Sequence, residues 1–91
     1  MHAVFVNVSI DPARVEEARE HLRSQVVPRV SQAPGFVAGY WTDSNEGGGS
    51  SCLIFDSEST AQQAAEMAKN VPTPEGVTIQ SVETREVVAS A

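Results

Sequence analysis

The sequence predicts an α+β fold in the order β-α-β-β-α-β. Three observations carry it. Val4, Val6, Val8 and Ile10 alternate with Phe5, Asn7 and Ser9, a period of two that marks a strand. Val15, Ala18, Leu22, Val26 and Val30 then recur at three- and four-residue steps, one face of a helix. Pro34-Gly35 stops that pattern, and a strand, turn, strand, helix, strand series follows to the end of the chain.

Each element has a local cause. The first strand runs from Ala3 to Ile10. Asp11-Pro12 then starts the first helix, because Asp accepts bonds from the free N–H groups of a first turn and Pro fits that turn. Glu16, Glu17, Arg19, Glu20 and Arg23 form the solvated face opposite the apolar stripe. Pro28 falls inside the pattern, removes a backbone hydrogen bond, and is expected to kink the helix or end its regular part. Phe36 to Trp41 is the second strand and gathers Phe36, Tyr40 and Trp41. Strict alternation puts Phe36 with Tyr40 on one face and Val37 with Trp41 on the other. Asp43 to Ser50 reads as a polar, glycine-rich hairpin turn, and Ser51 to Phe55 as the third strand. Asp56-Ser57 opens the second helix with Ser57 as cap, and Ala61, Ala64, Ala65 and Ala68 give it a small-residue face for close packing. Val71 to Gly76 ends it. Val77 to Ala89 is the last, β-branched strand.

This order is the split βαβ, or ferredoxin-like, arrangement with an antiparallel sheet. Right-handed crossovers put both helices on one sheet face. Val4, Val6, Val8 and Ile10 face those helices, and Phe5 then points to a face that nothing in the chain covers. Bulky residues also occupy both parities of the second and third strands, as in sheets buried on both sides. A bare apolar sheet is unusual on a monomer, so a second copy paired through the open face is expected.

Ninety-one residues form a single domain, 1–91, that buries only about 60–65% of its unfolded surface. A formal charge of −6 with no basic run argues against nucleic acid and anionic membranes. The lone Cys52 excludes an internal disulfide and reads as a small buried hydrophobe. The N-terminus lacks a basic signal region, and no apolar run reaches the ~20 residues of a membrane span, so a cytoplasmic location is expected. Gly47-Gly48-Gly49 is not a phosphate loop, since no Lys-Ser/Thr and no helix follow it. Metal-spaced ligands and a Ser-His-Asp set are absent from the pattern. Glu83, Arg85 and Glu86 suit cross-strand or intersubunit ion pairs, and His21 suits the surface.

Val26-Val27-Pro28, Pro34-Gly35-Phe36 with Gly39-Tyr40-Trp41, and Phe55-Asp56-Ser57-Glu58 before an Ala-rich helix resemble the antibiotic-biosynthesis monooxygenase (ABM) type of the dimeric α/β-barrel superfamily. The resemblance runs from Val4 to about Val88. It implies two sheets paired face to face, with a cleft between sheet and helices or inside the barrel. The superfamily includes cofactor-independent quinol and polyketide monooxygenases, haem-degrading enzymes and small proteins without known activity. Asn7 matches the Asn that lines the pocket in several members. The haem-degrading branch carries a Trp and a His on or near the second helix, where this chain has Gln62, Gln63, Glu66 and Met67. No haem, flavin or metal cofactor is therefore expected.

Asn7 is the candidate catalytic residue: its amide suits a phenolic oxygen or the orientation of dioxygen. Phe5, Ser9, Tyr40 and Trp41 are the candidate substrate-binding residues. Tyr40 and Trp41 alternate in direction, so one of them at most shares a cavity with Asn7. Two classes of function fit. One is a cofactor-independent monooxygenase acting on a small quinol or polycyclic phenol. The other is a non-catalytic dimeric module that binds a small apolar molecule or only assembles.

Overall fold

The computed structural model describes residues 1–44 and 47–91. Strand β1 spans His2–Ile10, β2 Phe36–Ser44, β3 Gly48–Phe55 and β4 Val77–Glu86. They form one sheet in the order β2-β3-β1-β4, with every neighbouring pair antiparallel. The expected ferredoxin-like order is the observed one. Asn45 and Glu46, at the centre of the expected hairpin turn, lie outside the described residues. The flanking strands reach further into that segment than expected, because Thr42, Asp43, Gly49 and Ser50 all pair across it.

The first helix starts where Asp11 predicts it. The Asp11 carboxylate accepts from the Ala13 N–H at 3.0 Å, and a 3-10 turn at Pro12–Arg14 leads into α1, Val15–His21. Pro28 does not break the helix. The chain widens into π-helical turns at Leu22–Val26 and resumes as α2, Val27–Ser31. A regular turn would need an N–H that Pro28 lacks and would press its ring against the preceding carbonyls. Ser24 donates its hydroxyl to the Glu20 carbonyl at 2.8 Å, giving one carbonyl of the distorted stretch a partner.

Helix α3, Glu58–Asn70, is capped by Ser57, which accepts from the Thr60 N–H at 3.2 Å. The Pro34-Gly35 turn docks against this cap. Gly35 has φ +76°, its carbonyl accepts from the Asp56 N–H at 2.8 Å, and a Cβ there would lie 2.4 Å from Asp56 Oδ1. Only glycine meets both the backbone conformation and the approach.

The core lies between the sheet and α3. Val4, Leu53, Phe55, Ala61 and Ala65 are buried, with Val6, Val30, Ala33, Phe36, Trp41, Ala64 and Val82 packed around them. Phe36 meets Phe55 edge to face, with ring centroids 5.8 Å apart. This corrects the strict alternation expected of β2. The register slips between Phe36 and Ala38, leaving Val37 as an extra, exposed residue. The bulge moves Phe36 to the helix side with Trp41, and Tyr40 points the other way. The last strand also ends earlier than expected, at Glu86, because its partner β1 begins at His2, opposite Glu86. One further bond, from the Val87 N–H to the Met1 carbonyl at 3.0 Å, closes the ladder.

Candidate functional site

The expected site residues divide between the two faces of the sheet. Phe5, Asn7 and Ser9 share the face turned away from the helices, and Tyr40 joins them across β3. Phe5 lies opposite Cys52, and Cys52 opposite Tyr40, so the three form a row across β1, β3 and β2. Ala3, Ile54 and Ala38 form the next row. Tyr40 is 65% exposed. No helix covers this face in a single chain, although Ala3 is buried within it.

Asn7 stands at the polar end of this face, and both ends of its amide are engaged. Its Nδ2 donates to Ser81 Oγ at 2.9 Å, and Ser50 Oγ donates to its Oδ1 at 2.6 Å. Thr42 extends the row by donating to the Ser50 carbonyl at 2.8 Å. At the other side of the apolar patch, the Arg85 guanidinium lies 5.2 Å above the centre of the Phe5 ring and pairs with Glu83. Ser50, Ser81 and Arg85 were not among the expected site residues. Their contacts with Asn7 and Phe5 depend on strand register, which alternation alone does not specify.

Trp41 is on the helix side. Its indole folds back across Gly39, where a Cβ would sit 2.9 Å from its Cη2 and 3.2 Å from a Leu53 methyl. Gly39 is the space that lets the ring lie there. The helical segment on this side is only loosely seated: Val15, Ala18, Leu22 and Val26 are half-buried, and no residue of α1, the π-helical turns or α2 is fully buried. Val8 and Ile10, which share the sheet's helix side, are half-buried too. Val30 and Ala33 reach the core at one end, and Arg19 pairs with Asp43 of β2 at 3.2 Å. Apolar sheet and apolar stripe are thus left partly uncovered on the same side of the molecule, with Trp41 among them.

Other polar groups have local roles. His2 lies 3.7 Å from the Glu58 carboxylate, and its Nδ1 is buried without a protein partner. A groove of about 290 Å³ between α3 and β4 is lined by Gln62, Ala65, Glu66, Lys69, Val82 and Thr84. Its two charges, Glu66 and Lys69, pair with each other at 3.4 Å. Among the described residues, no three His, Cys, Asp or Glu side chains converge as a metal site, and no helix is long and apolar enough to cross a membrane.

No family model matches the sequence, and no curated protein matches it. Solved structures match over the whole chain. The haem degrader MhuD of Mycobacterium tuberculosis, with two haems in its active site, superposes with a TM-score of 0.72 at 16% identity, covering 98% of each chain. A protein of unknown function from Nitrosomonas europaea gives 0.70 at 19% identity, over 99% of this chain and 91% of that one. A monooxygenase from Streptomyces coelicolor, the ActVA-Orf6 product in complex with nanaomycin D, gives 0.59 at 16% identity, over 99% and 92%. At such identities the likeness is one of fold. The chain shares its fold with these proteins, a haem degrader and a monooxygenase among them.

Proposed function

We propose that this chain works as a sheet-to-sheet homodimer that binds a small planar aromatic molecule. The observation that carries the ligand is the indole of Trp41, folded over Gly39 beneath a helical stripe that covers it only in part. A flat ring between the two would bury apolar surface on both of its faces, the usual source of affinity for such a pocket. The solved monooxygenase of the same fold holds a small-molecule ligand, nanaomycin D. The bare row of Phe5, Cys52 and Tyr40 on the opposite face supports assembly with a second copy.

The finer reading is an oxygenase that needs no bound cofactor. An electron-rich quinol or polycyclic phenol supplies the electrons itself. In an anthrone, for example, the methylene becomes a carbonyl as one atom of dioxygen enters it, and the other atom leaves as water with the methylene hydrogens. The protein's part is to exclude water, hold the ring and stabilise the enolate or phenolate that reacts. Asn7 lies on the sheet face opposite Trp41, so it is the proposed donor only for a substrate held on the open face between the two sheets; it would use the second hydrogen of its Nδ2, the first being given to Ser81. Haem does not fit the residues present. The two histidines lie at the start of β1 and the end of α1, and α3 carries neither a His nor a Trp.

A specific observation also favours the non-catalytic module: the Asn7 amide is already satisfied by two neighbouring hydroxyls, as a structural group would be. Oxygen uptake across a panel of quinols and anthrones, wild type beside Asn7→Ala, separates the two. An Asn7 that acts as an oxyanion donor gives turnover about 100-fold lower in the variant. Equal rates remove Asn7 from the site. No uptake above the buffer rate with any substrate leaves the binding module. Ligand binding itself has an internal probe, because Trp41 is the single tryptophan. A quinone bound against it quenches its fluorescence saturably, and unchanged emission up to millimolar quinone would remove Trp41 from the ligand site.

A further inference from the structure

We infer that the Glu83–Arg85 pair sets how a second copy of this chain docks on the open sheet face, by exchanging ion-pair partners across the two-fold axis. The inference rests on the sheet-to-sheet reading above and adds the charges that specify it.

The face is prepared for burial in an unusual way. Several of its polar side chains already have partners in their own chain: Asn7 on β1 with Ser50 and Ser81, and Thr42 on the edge strand β2 with the Ser50 carbonyl. A second sheet can cover them without leaving a donor or acceptor stranded. The charged residues on the face are Glu83 and Arg85, both on the edge strand β4 and both pointing away from the helices. Their side chains are 49% and 63% exposed in a single chain, and they bond to each other there. The guanidinium is also stacked on Phe5, the most central apolar side chain of the face. No second sheet can approach Phe5 without meeting Arg85.

A buried guanidinium needs a carboxylate. An isologous contact supplies it by symmetry, because a residue that touches its neighbour's counterpart is touched in return. A two-fold axis passing beside the pair sets Glu83 against Arg85 of the partner subunit, and Arg85 against Glu83 of the partner subunit. The result is a ring of four alternating charges over two Phe5 rings. Arg suits this role better than Lys, since its planar fork can bond a carboxylate while its face stays on an aromatic ring. The occupant is therefore a second copy of this chain, because the patch is complementary to itself. An unrelated apolar partner would bury the pair without adding any bond to it.

The test uses two charge reversals, Glu83→Arg and Arg85→Glu, purified separately and then mixed. Each reversal gives a like-charged pair in its own chain and, on self-association, four like charges. Each alone is expected to self-associate at least about 100-fold more weakly than wild type. The equimolar mixture keeps like charges side by side within each chain but sets opposite charges against each other across the axis, and is expected to form a heterodimer of near wild-type affinity. Sedimentation velocity, with one variant carrying a fluorophore, reads all three. Circular dichroism checks that each variant is folded, which exposed positions allow. A mixture that associates no better than either variant alone overturns the partner exchange. Self-association of both variants at wild-type strength places the dimer contact away from β4. A wild-type protein that is monomeric at all concentrations fails the sheet-to-sheet reading itself, which is a different outcome from either.

Discussion

Phe55→Ala is expected to cost about 3–5 kcal/mol, the range for emptying a buried aromatic site. Phe55 and Val4 are the two largest fully buried side chains. Phe55 closes β3 immediately before the Asp56-Ser57 turn, packs edge to face with Phe36, and lies under α3. What surrounds it decides the size of the effect. The helix reaches the sheet through Ala61 and Ala65, both buried, and an alanine has no side chain to swing into a vacated space. The cavity therefore stays open. A domain of this length has roughly 5–14 kcal/mol of stability in total, so the loss is a large fraction of it. The thermal midpoint is expected to fall by roughly 12–25 °C, or the cooperative transition to vanish. Phe55→Leu keeps most of the volume and should cost less than half as much. Scans of all three proteins at one fixed concentration check this, since self-association would make the midpoint depend on concentration. A loss below about 1.5 kcal/mol for the alanine variant would mean that α3 settles onto the sheet.

The elements were legible because their signals are local. Asp11 and Ser57 accept from the N–H groups that their positions predict. Pro34-Gly35 turns where neither residue can continue a helix, and the small face of α3 packs as alanines do. The errors came from facts that depend on pairing. A single bulge at Val37 reversed the face of Phe36 relative to Tyr40, and nothing in the run Phe36 to Trp41 announces it. The end of β4 is set by the first residue of β1, far away in sequence. Pro28 was visible as a disturbance, but the π-helical turns that absorb it are one of several ways a helix accommodates proline.

The candidate site was legible to a smaller degree for the same reason. Alternation placed Phe5, Asn7 and Ser9 on one face and forced Tyr40 and Trp41 apart, and both hold. The partners of Asn7 come from β3 and β4, and only the register brings Ser50 and Ser81 to it. The role of Gly39 depends on the rotamer of Trp41, two residues on, which composition does not reveal. The sequence pattern could show that a sheet face was bare. It also marked Glu83 and Arg85 as ion-pair residues, but not that they pair with each other beside the Phe5 ring.

Phe5→Asp is expected to turn a dimer into a folded monomer. Phe5 sits on a central strand between Cys52 of β3 and Glu83 of β4, in the middle of the open face. In an isolated chain the new carboxylate is tolerated, because the Arg85 guanidinium already lies directly above that position. It faces water on the remaining side, so folding bears little cost. Covering the face with a second copy is another matter. The dimer would bury two carboxylates, at positions 5 and 83, for each guanidinium at 85. The excess charge has no partner, and an uncompensated buried charge costs about 3–5 kcal/mol. For one such charge that corresponds to a dissociation constant raised by roughly 10²–10⁴-fold, and the dimer would carry one in each chain. Sedimentation at micromolar concentration should show the wild type at twice the 9.7 kDa chain mass and the variant at the chain mass itself. Unchanged far-ultraviolet circular dichroism separates dissociation from unfolding, and Phe5→Leu, which keeps the apolar surface, should remain dimeric. A Phe5→Asp protein that sediments as the wild-type dimer would show that this face is not where the two copies meet.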